Sequence, residues 1–179
     1  IEMASLREAW LRALAEVTES ALSGQQSERV LDLLAERAKE VSGSDLAVVA
    51  LAGNGALRIQ HAFGENADAY EGATASSGPL TLAIETARST IIEDLEGTDL
   101  PSVFRGGYRA MLAMPLLSQG RTLGTLGLLW EEPRTFVSEE LQAAEDFADS
   151  ATLAVLIAEG QRERERLAVL EDRDRIARD

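Results

Sequence analysis

Cysteine is absent from the 179 residues, histidine occurs once, at His61, and proline only four times. Without cysteine the chain forms no disulfide, no thiolate metal site and no thioether to a chromophore. One histidine and scattered carboxylates are a poor donor set for a transition metal, no nucleophile has an adjacent base, and no glycine-rich phosphate cradle is present. Basic residues are also scarce, with 17 Lys and Arg against 31 Asp and Glu and a formal net charge of −14. Such a surface repels phosphate backbones and anionic lipid heads, so neither nucleic acid nor membrane is expected as a partner. No apolar run approaches the roughly 18–20 residues of a membrane span, and Ile1-Glu2-Met3-Ala4 lacks a basic signal-peptide head. The expected compartment is the cytoplasm. Because it opens on Ile1, the chain is read as a fragment of a longer protein.

What is present reads as two helices followed by strands. Leu6, Trp10, Leu14, Val17 and Ala21 recur at helical spacing before a stop at Ser23-Gly24. A second helix is predicted from Ser27 as N-cap, with Val30, Leu34, Ala38 and Val41 on one face and Gly43 at its end. Leu46 to Leu51 is short and apolar, and Asn54-Gly55 separates it from an alternation through Leu57, Ile59, His61 and Phe63, which predicts a hairpin. Residues Gly64 to Gly78 read as a long loop with one helical turn. Pro79 to Ala87 predicts a short helix beginning on proline, and Ser89 to Ile92 a brief strand. Beyond a second loop, Leu95 to Gly107, the runs Tyr108 to Leu117 and Arg121 to Trp130 flank Ser118-Gln119-Gly120 as a central hairpin. Ser138 is expected to cap a last helix whose buried stripe is Leu141, Ala144, Ala148, Ala151 and Val155.

That helix has no stop signal where a compact domain would end. Residues 159–179 hold seven acids and six bases, so the excess of negative charge lies ahead of them, where twenty-four acids face eleven bases. A heptad seam runs through Leu153, Leu156, Gly160, Glu163, Leu167, Leu170, Asp174 and Ala177, apolar at five positions and interrupted at three. The reading is three parts: a linking helix over 1–23, a domain over 24–158 and a charged signalling helix over 159–179 that pairs in parallel with its twin. A solvated, monomeric extension is the alternative. The fold class is α+β, a largely antiparallel sheet of about five to six strands with the N- and C-terminal helices packed on one face.

The central hairpin, Arg109-Ala-Met-Leu-Ala-Met-Pro-Leu116 with Leu123-Gly-Thr-Leu-Gly-Leu-Leu129, resembles the paired strands of GAF domains, and Phe136-Val-Ser-Glu-Glu-Leu141 resembles the start of their last helix. The stretch Leu170-Glu-Asp-Arg-Asp-Arg-Ile-Ala-Arg-Asp179 resembles the segment that, in one histidine kinase class, runs into Leu-His-Asp and the phosphorylated histidine. Together these are similar to the second GAF domain of actinobacterial oxygen and redox sensor kinases of the DevS/DosT type. The resemblance implies a GAF, PAS-like fold and a cytoplasmic homodimer joined through its terminal helices. It implies an upstream GAF domain that carries heme, and a downstream kinase core that autophosphorylates and passes phosphate to a response regulator in hypoxia or redox signalling. This fragment is then no enzyme and carries no cofactor of its own.

His61, by alternation on the face of Leu57, Ile59 and Phe63, is open to three roles: pocket or heme ligand, satisfied core histidine, or solvent-facing edge residue. In heme-bearing relatives the resemblance puts the ligating histidine in the loop that here reads Leu100-Pro-Ser-Val-Phe-Arg-Gly-Gly-Tyr108, which has none. A GAF pocket is expected between the sheet and the two long loops, lined by His61, Phe63, Tyr70, Phe104, Tyr108, Met111 and Met114. Leu153, Leu156, Leu167, Leu170 and Ala177 are the expected dimer and signalling positions. Two functions remain in view: a relay that has lost its ligand, and a small-molecule receptor with a working pocket.

Overall fold

The computed structural model describes residues 3–96 and 107–178. Helices α1 (Met3–Leu22) and α2 (Ser27–Ser42) lead into β1 (Leu46–Gly53) and β2 (Ala56–Gly64). A 3₁₀ turn (Ala67–Ala69), β3 (Thr74–Ala75), α3 (Pro79–Thr86) and β4 (Thr90–Ile92) follow, then the long hairpin β5 (Ala110–Ser118) and β6 (Arg121–Trp130), and finally α4 (Ser138–Arg178). The strands form one antiparallel six-stranded sheet in the order β3-β2-β1-β6-β5-β4. Its edges are strands of two and three residues, too short to template pairing with another chain. This is the α+β architecture expected, with β3 as a strand inside the stretch read as loop. Among the described residues no helix is long and apolar enough to cross a membrane.

Both hairpins turn on two residues. Asn54 and Gly55 take φ of 50° and 77°, and Gln119 and Gly120 take 51° and 74°, the paired positive φ of a type I′ turn whose twist matches the strands it joins. The two predicted caps sit one residue off. Val30 N–H reaches the Gln26 carbonyl and Leu141 N–H the Val137 carbonyl, so Gln26 and Val137 occupy the capping positions and Ser27 and Ser138 are already helical. No side-chain cap forms at Gln26; Ser27 is buried instead.

Helices α1, α2 and α4 cover one face of the sheet. Trp10, Ala13, Val17 and Ala21 of α1, and Val30, Leu34 and Ala38 of α2, meet Ala144, Phe147, Ala148, Ala151, Ala154, Val155 and Ala158 of α4 over the strand residues Val49, Leu112, Met114, Leu126 and Leu128. The Trp10 and Phe147 rings lie 5.0 Å apart. Helix α1, read as a linker, is thus part of the body's core. Ala4 and Arg7 line one hollow with Glu139 and Ala143, and Leu11 and Leu14 line the next with Asp146 and Ser150, so α1 and α4 run parallel. The start of α4 is fastened separately: the Arg134 guanidinium stacks 4.5 Å over Trp130 and 5.0 Å from Phe136, pairs with Glu140 and donates to the Ser42 carbonyl at 3.2 Å.

The sheet is tight where β1 meets β6. A Cβ on Gly124 would collide with the Ala50 carbonyl oxygen and come within 2.9 Å of the Leu51 Cα, both backbone. Gly124→Ala is therefore expected to destabilise the fold by about 2–3 kcal/mol, read as a lowered urea midpoint at unchanged m-value. On the outward side of α4, burial first and then Asp149 and Asp146 raise the Glu145 carboxyl, and burial first and then Asp146 raises Asp149. Carboxyls raised in the folded state contribute stability that is full below their unfolded pKa and lost as pH rises through the folded one. Asp149→Asn is accordingly expected to stabilise the fold at pH 7 by about 0.5 kcal/mol, seen as a higher thermal midpoint, with the gain vanishing in thermal melts near pH 4. An equal gain at both pH values would contradict this account.

Candidate functional site

The face of the sheet turned away from the three-helix layer is where α3, the stretch 67–75, Leu95 and Tyr108 gather. Leu46, Val48 and Ala50 of β1, Leu57 and Ile59 of β2, Met111 and Ala113 of β5 and Leu129 of β6 point to it, and Leu80 and Ala83 of α3 lie over them. Gly127 permits this close approach. A Cβ there would meet Leu80 Cδ2 at 2.9 Å, Val48 Cγ2 at 3.0 Å and Met111 Cε at 3.4 Å. The buried Thr125 hydroxyl donates to the Leu80 carbonyl at 2.9 Å and ties α3 to the central strand. Leu80 and Met111 are fully buried. The middle of this face is thus occupied by the chain's own side chains.

Towards the loops the face becomes polar. Tyr70 and Tyr108 rings stand 6.3 Å apart, and burial, with a hydrogen bond to Tyr70, pushes the Tyr108 phenol above its ordinary range. Both ends of the stretch 97–106 are tied together beside them. Arg109 holds Asp94 through Nε and Nη2 at 2.9–3.1 Å and Glu96 at 3.3 Å, and Leu95 N–H donates to the Arg109 carbonyl at 2.6 Å. The Glu96 backbone N–H and the Arg109 guanidinium hold the Asp94 carboxyl below the usual range.

The predicted pocket residues divide between the two faces. Tyr70, Tyr108 and Met111 belong to the loop-side face, and Phe104 lies outside the described residues. His61, Phe63 and Met114 require correction. The β1–β2 register shifts between Val49 and Ala50: Val49 pairs with His61 but Ala50 with Ile59, leaving Gln60 as an extra residue. A bulge reverses the facing of everything beyond it. Leu57 and Ile59 face the loops, whereas Phe63 packs against the helical layer and His61 Nδ1 lies 3.5 Å from Asp32 Oδ1 of α2. His61 is therefore no ligand on the pocket side. Met114 is three residues from Met111, an odd step in a strand, and sits in the helical core.

Leu80, Thr125 and Gly127, which build the centre of this face, were not singled out by the sequence. The one available signal was glycine inside a strand. A shallow hollow of about 360 Å³ lies at the Asn54-Gly55 turn, between the hairpin and Thr81, Ile84 and Glu85 of α3, but the Thr81 hydroxyl is already spent on the Gly78 carbonyl at 2.9 Å. Among the described residues no three His, Asp or Glu side chains converge as a metal site. Of the signalling positions, Leu153, Leu167 and Leu170 are about half exposed, Leu156 is half-buried and Ala177 is exposed.

Known folds of this shape share the arrangement. The second GAF domain of DevS from Mycobacterium smegmatis superposes with a TM-score of 0.66 at 23% identity, over 78% of this chain and 99% of that one. The GAF domain of a phosphoenolpyruvate-protein phosphotransferase from Coxiella burnetii gives 0.73 at 19% identity, over 88% and 98%. Free methionine-R-sulfoxide reductase from Neisseria meningitidis, solved with its substrate, gives 0.76 at 16% identity, over 90% and 94%. At these identities the likeness is one of fold. The family model for the GAF domain matches residues 24–155, the whole sheet with α2, α3 and the first part of α4, and the chain belongs to the GAF domain family.

Proposed function

We propose that this GAF domain is a signal relay in a dimeric sensor histidine kinase of the DevS/DosT type, passing a change at α1 into α4 without a ligand of its own. The observation that carries this reading is the parallel pair of α1 and α4. Ala4 lines one hollow with Glu139, Trp10 stacks on Phe147, and Ala21 and Ala158 are buried in the same core, where α4 leaves the body. Input and output thus share one core while standing at opposite poles. Packed helices shift between discrete arrangements rather than deform smoothly, so a small rotation of α1 turns the exit helix as a unit.

The occupied centre of the loop-side face supports a relay over a receptor, and the resemblance of Leu170 to Asp179 to a kinase neck supports the downstream partner. In this reading heme resides in a preceding GAF domain. The kinase core, which autophosphorylates, and the response regulator belong to the parent protein, in a hypoxia or redox pathway of the cytoplasm. This domain performs no chemistry.

Two outcomes are expected. Hemin added to the purified chain should give no sharp Soret band, and a thermal-shift screen of metabolites and nucleotides should be flat, because a true ligand at 100 times its dissociation constant adds about 2.7 kcal/mol. A reproducible, saturable hit would favour the receptor. In the parent protein, one residue inserted after Gly160 rotates everything beyond it by about 100° and should change autophosphorylation severalfold, while a seven-residue insertion that restores phase should not. Indifference to the single insertion would count decisively against a helical relay.

A further inference from the structure

Residues 131–137, between β6 and α4, are the joint on which the last helix is mounted. Glu131 N–H donates to Asp45 Oδ2 at 2.8 Å, and Arg134 N–H donates to the Glu93 carbonyl at 2.9 Å. Glu93 follows β4 directly and opens a short segment, 93–96, that belongs to the loop-side face, where Leu95 is buried in the core. The backbone of Arg134 is therefore bonded to one side of the sheet while its guanidinium grips the helical layer on the other.

The two ends of this connection differ in strength. On the loop side, Arg109 fastens the segment through Asp94 and Glu96, and the Asp94 and Arg109 side chains are 45% and 42% exposed. Exposed ion pairs are weak and screened by salt, so this end yields first. On the helix side the Arg134 and Glu140 side chains are only 25% and 15% exposed. There the guanidinium lies over Trp130 and near Phe136, pairs with Glu140 and donates to the carbonyl of Ser42 in the last turn of α2, where the helix dipole favours a cation. A planar group meets two rings, a carboxylate and a carbonyl in one orientation only, so these contacts are made or lost together. Trp130 joins the two ends: its carbonyl accepts the Arg109 N–H at 2.7 Å and its ring carries Arg134.

We infer that Arg134 is a latch through which the segment 93–96 controls the first turns of α4. While Arg109 holds Asp94, Glu93 keeps the Arg134 backbone where the guanidinium reaches Glu140 and Ser42 at once, and α4 is seated from its start. When the Asp94–Arg109 pair opens, Arg134 moves with Glu93, Glu140 is released and the first turns loosen. The buried alanines from Ala148 onwards keep the remainder of the helix in place. The exit helix thus has an input from the loop-side face that does not pass through α1. This inference stands independently of the kinase context proposed above.

Amide hydrogen exchange of the full chain, resolved by NMR, tests the latch. Residues 142–144 report the first turns of α4, and residues 151–155 its interior. Asp94→Asn should speed exchange roughly threefold or more at the first set and leave the second unchanged. In an Arg134→Ala background, where the first set is already fast, Asp94→Asn should add nothing, because the two substitutions open the same connection. If Arg134→Ala does not fold, Arg134→Lys, which keeps the charge and loses the planar fork, takes its place in the cycle. Unchanged exchange at the first set would show that the segment and the helix are uncoupled. Equal acceleration with and without Arg134 would show that the coupling bypasses it, and acceleration at both sets would show a general loosening of the body; each of these three results overturns the latch.

Discussion

A stripe of small residues on α4, Ala144, Ala148, Ala151, Ala154 and Ala158, lets the last helix lie close against α1 and α2 over the sheet. Helix separation is set by the side chains at the contact, and alanine permits a near approach. Phe147 interrupts the stripe once and fills the space beside Trp10. Every other placement on this side follows: the strands send Val49, Leu112, Met114, Leu126 and Leu128 up into the layer, and the Arg134 clasp fixes where α4 begins. One helix consequently belongs to two structures, the body's core up to Ala158 and an exposed neck beyond it.

The sheet serves the opposite side differently. Glycine at 127 brings Leu80 onto the central strands, and the Thr125 hydrogen bond anchors α3 from below. A side chain at position 127 would hold α3 away and open a space under it. The same fold can therefore be solid or hollow beneath this helix according to a few volumes. Here the described residues make it solid at the centre and polar at the Tyr70–Tyr108 margin.

Helical periodicity, the Asn54-Gly55 signal and the apolar central hairpin made the element order and fold class legible, because each is a local pattern with a local cause. The candidate site was less legible. Alternation predicted that His61 shares the face of Leu57 and Ile59, and one extra residue at Gln60 reversed it; a bulge is selected by pairing with β1 and leaves no mark in β2 alone. Met111 and Met114 were grouped by type although strand geometry separates them. The cap of α2 falls one residue earlier than expected, at Gln26, with Ser27 buried inside the first turn. Leu80 and Thr125 escaped notice since an ordinary leucine and threonine acquire their roles only through tertiary contact.

Charge is unevenly shared along the molecule: nearly the whole negative excess resides in the globular part, while the projecting rod is close to neutral. At physiological ionic strength such a field dies away over about 8 Å. The globular part therefore repels other anionic surfaces, and does so less as electrolyte rises, while the near-neutral rod is almost indifferent to both.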